Sequence, residues 1–172
     1  MITIKEMKVL EEQAIQQGLS ISELMENAGK AVYETVSEKY DFDGKQIVIF
    51  CGQGNNGGDG FVAARYFAEE TNVLVLFFGD KEKLSEEAEV NYNKIKDVVI
   101  EIRDKKELEE FRFQDKDYIF IDALLGTGVS GTIREPFASA INLFNSVNAV
   151  KVAVDVPSGL DADTGDVLDK AC

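Results

Sequence analysis

The sequence predicts an α/β protein: a three-layer αβα Rossmann-like fold with a mostly parallel central sheet, preceded by two N-terminal helices. The length of 172 residues fits a single domain, so we take residues 1–172 as one unit. Hydrophobic residues make up 45% of the chain and charged residues 29%, which is ordinary for a globular protein. Short apolar runs alternate with segments of helical periodicity, and this alternation indicates parallel strands covered by helices on both faces.

Two helices are predicted at the start of the chain. Thr3 with Glu6, and Ser20 with Glu23, fit the capping box, in which side chains satisfy the free amides of a helix start. Gly18 is expected to end the first helix. The second helix is expected to bury a face of apolar residues at helical spacing: Leu24, Ala28, Ala31, Val32 and Val36.

Strands and helices then alternate to the end of the chain. In order, we predict a strand at 47–50, a helix at 60–70, a strand at 73–78, a helix at 85–96, a strand at 98–102, a short helix at 105–111, a strand at 118–121, a helix from Pro136 to about residue 145, and a strand at 151–154. The apolar runs are short and nearly continuous, as in strands buried on both faces of a sheet.

The composition excludes several kinds of chemistry. Histidine is absent, which removes Ser-His-Asp and Cys-His nucleophilic schemes and all His-ligated metal sites. Cys51 and Cys172, the two cysteines, cannot form a disulfide framework or a four-thiolate zinc site. The net charge of −14 disfavours nucleic acid and anionic membranes as partners. With no apolar run of membrane-span length and no signal-peptide pattern, we expect a cytoplasmic location.

Three unusual segments begin at the carboxyl ends of predicted strands. They are GQGNNGGDG at 52–60, DALLGTGVSGT at 122–132 and DVPSGLDADTGD at 155–166. In open parallel sheets, ligands bind outside the carboxyl ends of the strands, near the point where the strand order reverses. We therefore expect the three segments to meet along one edge of the sheet.

The first two segments suit a phosphate group. Gly52, Gly54 and Gly57 satisfy G-x-G-x-x-G between a strand and a helix, where a backbone can approach a pyrophosphate, although a tightly packed glycine turn gives the same pattern. Asp59 is placed to cap the next helix. Segment 126–132 lacks the lysine of a P-loop, but its amides and hydroxyls suit phosphate; the alternative is a flexible loop.

Polar residues at the strand ends suit a hard cation. Asp122 and Asp155 each follow an apolar run, where a carboxylate is costly unless it is paired, hydrogen-bonded or bound to a cation, or caps a nearby loop. With Asn56 and Ser158 they offer only oxygen ligands. A further set of acids lacks EF-hand spacing and is expected to be solvated: Asp161, Asp163 and Asp166. Cys51 is expected to be a small buried residue.

Together the three segments resemble the NAD(P)HX epimerases, the YjeF N-terminal domain family. GQGNNGGDG, DALLGTGVSGT and DVPSGLDADTG match the family's signatures in order, and so does the MENAG sequence at 25–29. The resemblance covers essentially the whole chain. It implies an enzyme that interconverts the R and S epimers of hydrated NADH or NADPH, in which water has added to C6 of the nicotinamide ring, so that a dehydratase can restore the cofactor.

The resemblance also implies site residues. Residues expected to bind substrate are Asn55, Asn56, Gly57, Gly58, Asp59, Gly126, Thr127, Gly128, Val129, Ser130, Gly131, Thr132 and Asp155. A potassium ion would be held by Asn56, Asp122 and Ser158. Asp155 is our candidate catalytic residue, because one carboxylate can protonate the leaving hydroxyl and deprotonate the incoming water.

The expected partners follow from the same resemblance, and two alternative interpretations stay open. A homodimer is expected, as is a fused or separate dehydratase, and the chain is expected to be shortened at its C-terminal end relative to the family. A nicotinamide-dependent dehydrogenase is a rival interpretation, with Asp80 as its ribose-binding acid. The more serious alternative is a non-catalytic nucleotide-binding or dimerisation scaffold of the same fold, as found in RNA-processing proteins.

Overall fold

The computed structural model of the chain describes residues 2–113 and 117–172. The helices are α1 (Ile4–Gln16), α2 (Ile21–Lys39), α3 (Asn55–Phe67), α4 (Glu86–Ile95), α5 (Lys105–Glu109) and α6 (Phe137–Ser146). The strands are β1 (Lys45–Gly52), β2 (Asn72–Phe78), β3 (Val99–Ile102), β4 (Asp117–Ala123) and β5 (Val150–Ala153). Single-turn 3₁₀ helices cover Lys81–Lys83 and Lys96–Val98. Within the described ranges, none of these helices is long and apolar enough to cross a membrane.

The five strands form one parallel sheet in the order β3-β2-β1-β4-β5. In the central register, Ile49 of β1 lies opposite Val75 of β2 and Ile121 of β4. The chain builds outward from β1 to β3 and then crosses to β4, so the strand order reverses between β1 and β4. The predicted fold class is confirmed, and the reversal marks the crevice where such sheets bind ligands.

The sheet is buried on both faces. Ile47, Ile49 and Cys51 of β1 pack in the core beneath α2, α3 and α4, while Val48 and Phe50 pack in the second core beneath α5 and α6. All five side chains are fully buried. Alternating side chains point to opposite faces of a strand, and burial of each large apolar side chain contributes about 1.5–3 kcal/mol. These cores fix the positions of the strand ends that carry the site.

Both predicted capping boxes are present at the N-terminal helices. The Thr3 hydroxyl accepts a hydrogen bond from the Glu6 amide at 3.2 Å, and the Glu6 carboxylate accepts one from the Thr3 amide at 2.8 Å. Ser20 and Glu23 repeat this arrangement at the start of α2. Gly18, at φ +103°, lies in the turn between the two helices.

The buried face of α2 differs from the predicted one. Val32 and Val36 are buried as expected, but Ala31 is exposed, and Met25 and Gly29 are buried instead. A methyl group on Gly29 would lie 2.4 Å from Cβ of Val62, so the glycine is the point where α2 and α3 approach closely. The apolar periodicity predicted the wrong face because it considers only apolar side chains, whereas Gly29 packs closely through its backbone.

Three predicted boundaries were also wrong at the edge that carries the site. Helix α3 begins at Asn55, five residues before its predicted start at 60, because tertiary packing overrides the low helix propensity of its glycines. Asp122 lies inside β4 rather than after it. Pro136 is the residue before α6 rather than its first residue.

Candidate active site

The three glycine- and acid-rich segments meet at the carboxyl edge of the sheet. The strands that precede them, β1, β4 and β5, are neighbours. Gly126 lies at the meeting point, because a methyl group on its α-carbon would be 3.4 Å from Cβ of Asn56 and 3.8 Å from Oδ2 of Asp155. Asn56 comes from α3, Gly126 from the segment after β4, and Asp155 from the segment after β5. The expected convergence is present.

Asp122 and Ser158 form a buried hydrogen-bonded pair. Each residue is 1% exposed. The Ser158 amide donates to Asp122 Oδ2 at 2.7 Å, its hydroxyl donates to Oδ1 at 2.5 Å, and the Leu124 amide donates to Oδ1 at 3.1 Å. Burial raises the pKa of the Asp122 carboxyl, and the hydrogen bonds from Ser158, Leu124 and the Cys172 thiol oppose that rise. The pair therefore joins the segments after β4 and β5.

Asn56 adds a polar atom that the protein leaves without a partner. Its amide Nδ2 donates to the Leu125 carbonyl at 3.1 Å, but its Oδ1 atom is buried and accepts no hydrogen bond. The residue is 9% exposed. A buried acceptor without a donor costs about 1–3 kcal/mol, so such an atom calls for an external ligand.

The atoms around Asn56 Oδ1 fit a hard cation. The Leu125 carbonyl lies within 3.1 Å of both Asn56 Nδ2 and the Ser158 hydroxyl, which brings the three predicted cation ligands to one place. The available atoms are the amide oxygen of Asn56, the carboxylate of Asp122, the hydroxyl of Ser158 and the Leu125 carbonyl. All are oxygens with a single negative charge among them, which suits a cation of low charge.

The N-terminus of α3 opens toward the same edge. Gly54 precedes the helix and supplies no side-chain cap, and the first intrahelical bond runs from the Gly58 amide to the Gly54 carbonyl at 3.1 Å. The amides of Asn55, Asn56 and Gly57 therefore lie at the free, positive end of the helix, where a phosphate oxygen is favoured. The sequence predicted that Asp59 caps this helix. That prediction is wrong, because the early start of α3 places Asp59 in the second turn.

Glycine at position 57 lets this helix lie against its strand. A methyl group there would be 1.8 Å from the Gly52 carbonyl oxygen. Packing therefore requires this glycine of the G-x-G-x-x-G pattern. A tightly packed glycine turn was the alternative to a phosphate-binding loop in the interpretation of that pattern. Packing and phosphate binding are compatible, because the first requires the missing side chain and the second uses the amide.

The segment after β4 lines the site as irregular backbone. Gly126, Thr127 and Val129 are half-buried, and the exposed residues are Gly128, Ser130, Gly131 and Thr132. Among the residues that the structure describes, no hydrogen bond engages the amides or hydroxyls of 126–132. These donors therefore remain available to a ligand at the site.

Asp59 lies close enough to Asp155 for the negative charge of Asp155 to act on its carboxyl group. Asp59 is half-buried and Asp155 is exposed. Burial, followed by the negative charges of Asp155 and Glu11, raises the pKa of Asp59 to about 7. The approach of Glu11 shows that α1 lies beside the site. No pattern in the sequence indicated this, because it depends on how α1 packs.

Several further residues differ from their sequence interpretation. Asp163 is not merely solvated, since its Oδ1 accepts the Ile4 amide at 2.9 Å and ties α1 to the third segment. Asp80 caps the first 3₁₀ helix through the Glu82 amide at 3.1 Å, so its carboxylate is already engaged. No sequence pattern indicated the role of Cys172, whose thiol acts to lower the pKa of Asp122 and whose amide donates to the Ser158 carbonyl at 3.0 Å.

Cys51 matches its interpretation as a small interior residue. Its side chain is fully buried in the core beneath α3. Burial raises the pKa of the thiol well above its ordinary value, with the charges of Asp122 and Asp59 acting in the same direction. A thiol in this state is a poor nucleophile.

The fold and the site define a Rossmann-like α/β protein with an uncapped helix N-terminus and a cluster of buried oxygen atoms at the switch point of its sheet. More specifically, the chain belongs to the family described as YjeF-related protein N-terminus, whose model matches residues 21–172. This confirms the family indicated by the three sequence segments.

Similar proteins agree with this assignment. The chain is 41% identical over 171 residues to an NAD(P)H-hydrate epimerase of Nitrosopumilus maritimus, covering 96% of this chain and 77% of that protein. It is 44% identical over 176 residues to a bifunctional NAD(P)H-hydrate repair enzyme of Pyrobaculum aerophilum, covering 99% of this chain and 34% of that protein. The crystal structure of yeast ynu0 superposes with a TM-score of 0.82 at 26% identity, covering 96% of this chain and 74% of that one.

Proposed function

We propose that this chain is an NAD(P)H-hydrate epimerase, which interconverts the R and S forms of hydrated NADH or NADPH. The observation that carries the proposal is the convergence of the free end of α3, the orphaned Asn56 Oδ1 and the Asp155 carboxylate at one edge of the sheet. The names of the relatives support it. The chain spans about a third of the bifunctional relative and about three quarters of the epimerase.

The site can support the chemistry without a nucleophile. C6 of the hydrated ring carries a hydroxyl and is bonded to the ring nitrogen. Protonation of the hydroxyl lets water leave while the nitrogen lone pair forms a planar iminium, and water adding to the other face inverts the centre. Asp155 lies at the open side of the site and is the proposed acid and base. The free amides of α3 and of segment 126–132 would bind the pyrophosphate and fix the ring in place.

We propose that the cation is potassium. Asn56, Asp122 and Ser158, with the Leu125 carbonyl, would hold it, and the unpartnered Asn56 Oδ1 supports this choice of ligands. When bound, the ion supplies positive charge that compensates buried Asp122 and fixes the segments around the substrate. A single carboxylate is too little charge to bind calcium tightly, and magnesium demands more water and a stricter geometry.

A direct test follows the conversion of R- to S-hydrate by chromatography with each hydrate as substrate. Conversion above the spontaneous rate by the purified chain is the expected result, and no acceleration of either hydrate would refute the proposal. Thermal stabilisation by NADP and by potassium separates the enzyme from a bare dimerisation scaffold, which would respond to neither, and the hydrate assay separates it from a nucleotide-binding scaffold. The orphaned Asn56 Oδ1 favours the enzyme, because a scaffold gains nothing from an unsatisfied buried atom.

Two assembly properties belong to the same proposal. We propose that the chain forms a homodimer and acts with a dehydratase, and the existence of relatives named bifunctional NAD(P)H-hydrate repair enzymes supports the second part of this proposal. Helix α1 supports the dimer, because it buries no residue and its large apolar side chains are left 42–51% exposed: Met7, Val9, Leu10 and Ile15. The expected absence of nucleic-acid partners and the cytoplasmic location stay predictions.

The dimer can be tested on α1 itself. We expect Leu10→Glu to convert a dimer to a monomer in size-exclusion chromatography with light scattering, because it places a charge in an apolar contact. Lys8→Glu on the same helix changes charge without removing apolar surface and should leave the mass unchanged. A wild-type chain that runs as a monomer at high concentration would contradict the proposal.

A further inference from the structure

Asp59 is a carboxylate of the site that lacks a compensating partner. It lies in the second turn of α3, half-buried, and among the described residues nothing donates a hydrogen bond to it and no cation pairs with it. An ionised carboxylate in such a position is unfavourable. Its backbone is fixed, because its carbonyl oxygen lies 2.5 Å from the position that a methyl group on Gly29 of α2 would take. The backbone of Asp59 is therefore fixed, and its side chain has no structural partner among the described residues.

Two carboxylates act against the negative charge of Asp59: Asp155, beyond β5, and Glu11, on α1. The Cys51 thiol on β1 is neutral, because burial raises its pKa well above the ordinary value. From α2, which packs against the same helix, Glu26 is engaged by Arg65 and by the Tyr66 hydroxyl. With its pKa raised to about 7, Asp59 holds a proton on a large share of molecules at neutral pH.

Asn56 and Asp59 lie three residues apart on α3 and so share one face of this helix. Gly126, beyond the end of β4, lies close to both Asn56 and Asp155. The unpartnered Asn56 Oδ1, more than nine-tenths buried three residues before Asp59, independently marks this crevice as a place that expects a ligand.

We propose that Asp59 is a second catalytic carboxylate, which serves one face of the nicotinamide ring while Asp155 serves the other. The inference rests on the proposed epimerase function and deepens it. Inversion at C6 requires water to leave from one face and to add at the opposite face. A single carboxylate reaches both faces only if the ring or the side chain moves, whereas two carboxylates on different segments of the site need no such movement.

The proton and electron balance closes in each direction. Protonated Asp59 gives its proton to the C6 hydroxyl, the C–O bond breaks with its electron pair leaving on water, and the ring nitrogen lone pair forms the iminium. Water on the other face adds to C6 as Asp155 takes one of its protons. Asp59 ends ionised and Asp155 protonated, and exchange with solvent restores both. The reverse conversion uses the same two groups with their roles exchanged, so no oxidant or reductant is required.

The decisive test compares pH profiles of kcat/KM for epimerisation. Wild type should lose activity as the pH rises through about 7, because Asp59 then gives up the proton it must donate. This fall in activity is the basic limb of the profile. Asp59→Asn, which keeps the shape but cannot titrate, should lose about 100-fold or more in kcat and should lack this limb. Loss through misfolding is checked by circular dichroism and by thermal stabilisation with NADP.

A second pair of variants leaves both catalytic carboxylates intact. Glu11→Gln removes one of the negative charges that raise the pKa of Asp59, so the basic limb should move to lower pH. Glu12→Gln is the matched control on the same helix and should leave the limb in place. Carbon-13 NMR should also show one aspartate carboxyl titrating near pH 7 in the wild type and missing from Asp59→Asn.

The outcomes separate the two proposals. A wild-type chain that epimerises neither hydrate overturns the proposed function and the inference with it. A wild-type chain that is active while Asp59→Asn keeps more than a third of its rate and the same limb overturns only the inference. An inactive Asp59→Asn together with an unmoved limb in Glu11→Gln also overturns it, since the limb would then belong to another group.

Discussion

At the scale of single residues, Asp122 shows how a buried charge can be tolerated and used. Its carboxylate is 1% exposed, yet both oxygens accept hydrogen bonds, from Ser158 and Leu124. The bonds from Ser158 connect the segment after β5 to the end of β4. Removing the carboxylate would leave the buried amides of Ser158 and Leu124 without their acceptor, while the Ser158 hydroxyl could still donate to the Leu125 carbonyl. The residue is therefore structural first, and it serves the site by holding other groups in position.

Asp122→Ala should lower stability and weaken substrate binding together. We expect the free energy of unfolding to fall by about 2–4 kcal/mol, because buried donors lose a charged acceptor and a cavity remains. Urea unfolding measures this loss, and the midpoint of thermal unfolding should no longer rise with potassium. Asp166→Ala, in an exposed part of the third segment, is the control. An Asp122→Ala chain that responds to potassium as the wild type does would contradict the proposed ligand set.

Asp155 has the opposite character, since it is exposed and no hydrogen bond holds its carboxylate among the described residues. Its removal should leave folding intact and damage chemistry alone. We expect Asp155→Asn to lower kcat for epimerisation by about 100-fold or more, with the thermal midpoint within a degree or so of the wild type. Epimerisation at the wild-type rate would refute the assignment of Asp155 as acid and base.

At the scale of elements, α3 joins the core to the site. Its C-terminal half contributes Phe61 and Phe67 to the core, and its N-terminal turns contribute Asn56 and Asp59 to the site. The close approach at Gly57 sets the angle at which the helix leaves β1. A shift of this helix would move the free amides, the orphaned oxygen and Asp59 together.

Gly57→Ala is therefore expected to damage both stability and binding. The added methyl group would meet the Gly52 carbonyl oxygen at 1.8 Å, so the start of the helix must move away from β1. Overpacking of this kind costs about 1–3 kcal/mol. Gly54→Ala is the matched control, because no atom lies within 4 Å of its added methyl group. Chemical denaturation and NADP affinity should separate the two variants, and equal behaviour would show that the helix start is not held by this contact.

At the scale of the whole molecule, the sequence predicted what local patterns determine. Apolar runs gave the strands, Thr3 and Ser20 gave the helix starts, and the positions of segments 52–60, 122–132 and 155–166 at strand ends gave the edge where they meet. Long-range packing could not be predicted. The hydrogen bond of Asp163 to the start of α1 and that of Cys172 to Ser158 depend on where whole segments pack. For the same reason, the prediction that Asp59 caps a helix is wrong.

The raised pKa of Asp59 makes the stability of the folded protein depend on pH. Asp59 has a pKa of about 7 in the folded chain against an ordinary value of 3.8, so the folded state holds its proton more tightly than the unfolded state does. The resulting stabilisation is complete below about pH 4, falls as the pH rises from there to about 7, and is absent above. Asp59→Asn lacks this dependence, and its carboxamide mimics the protonated acid.

The stability advantage of Asp59→Asn over wild type should therefore grow with pH. Between about pH 5.5 and about pH 8, we expect it to increase by about 1–2 kcal/mol, because each pKa unit corresponds to about 1.4 kcal/mol and Asp59 is only half-buried. Urea unfolding at the two pH values, at constant ionic strength, measures the difference. Asp166→Asn, which replaces an exposed acid, should show no such growth. A difference between Asp59→Asn and wild type that stays constant with pH would show that the Asp59 carboxyl titrates normally in the folded chain. A growing difference would mean that the protein gives up stability at neutral pH to keep a protonated acid beside its substrate.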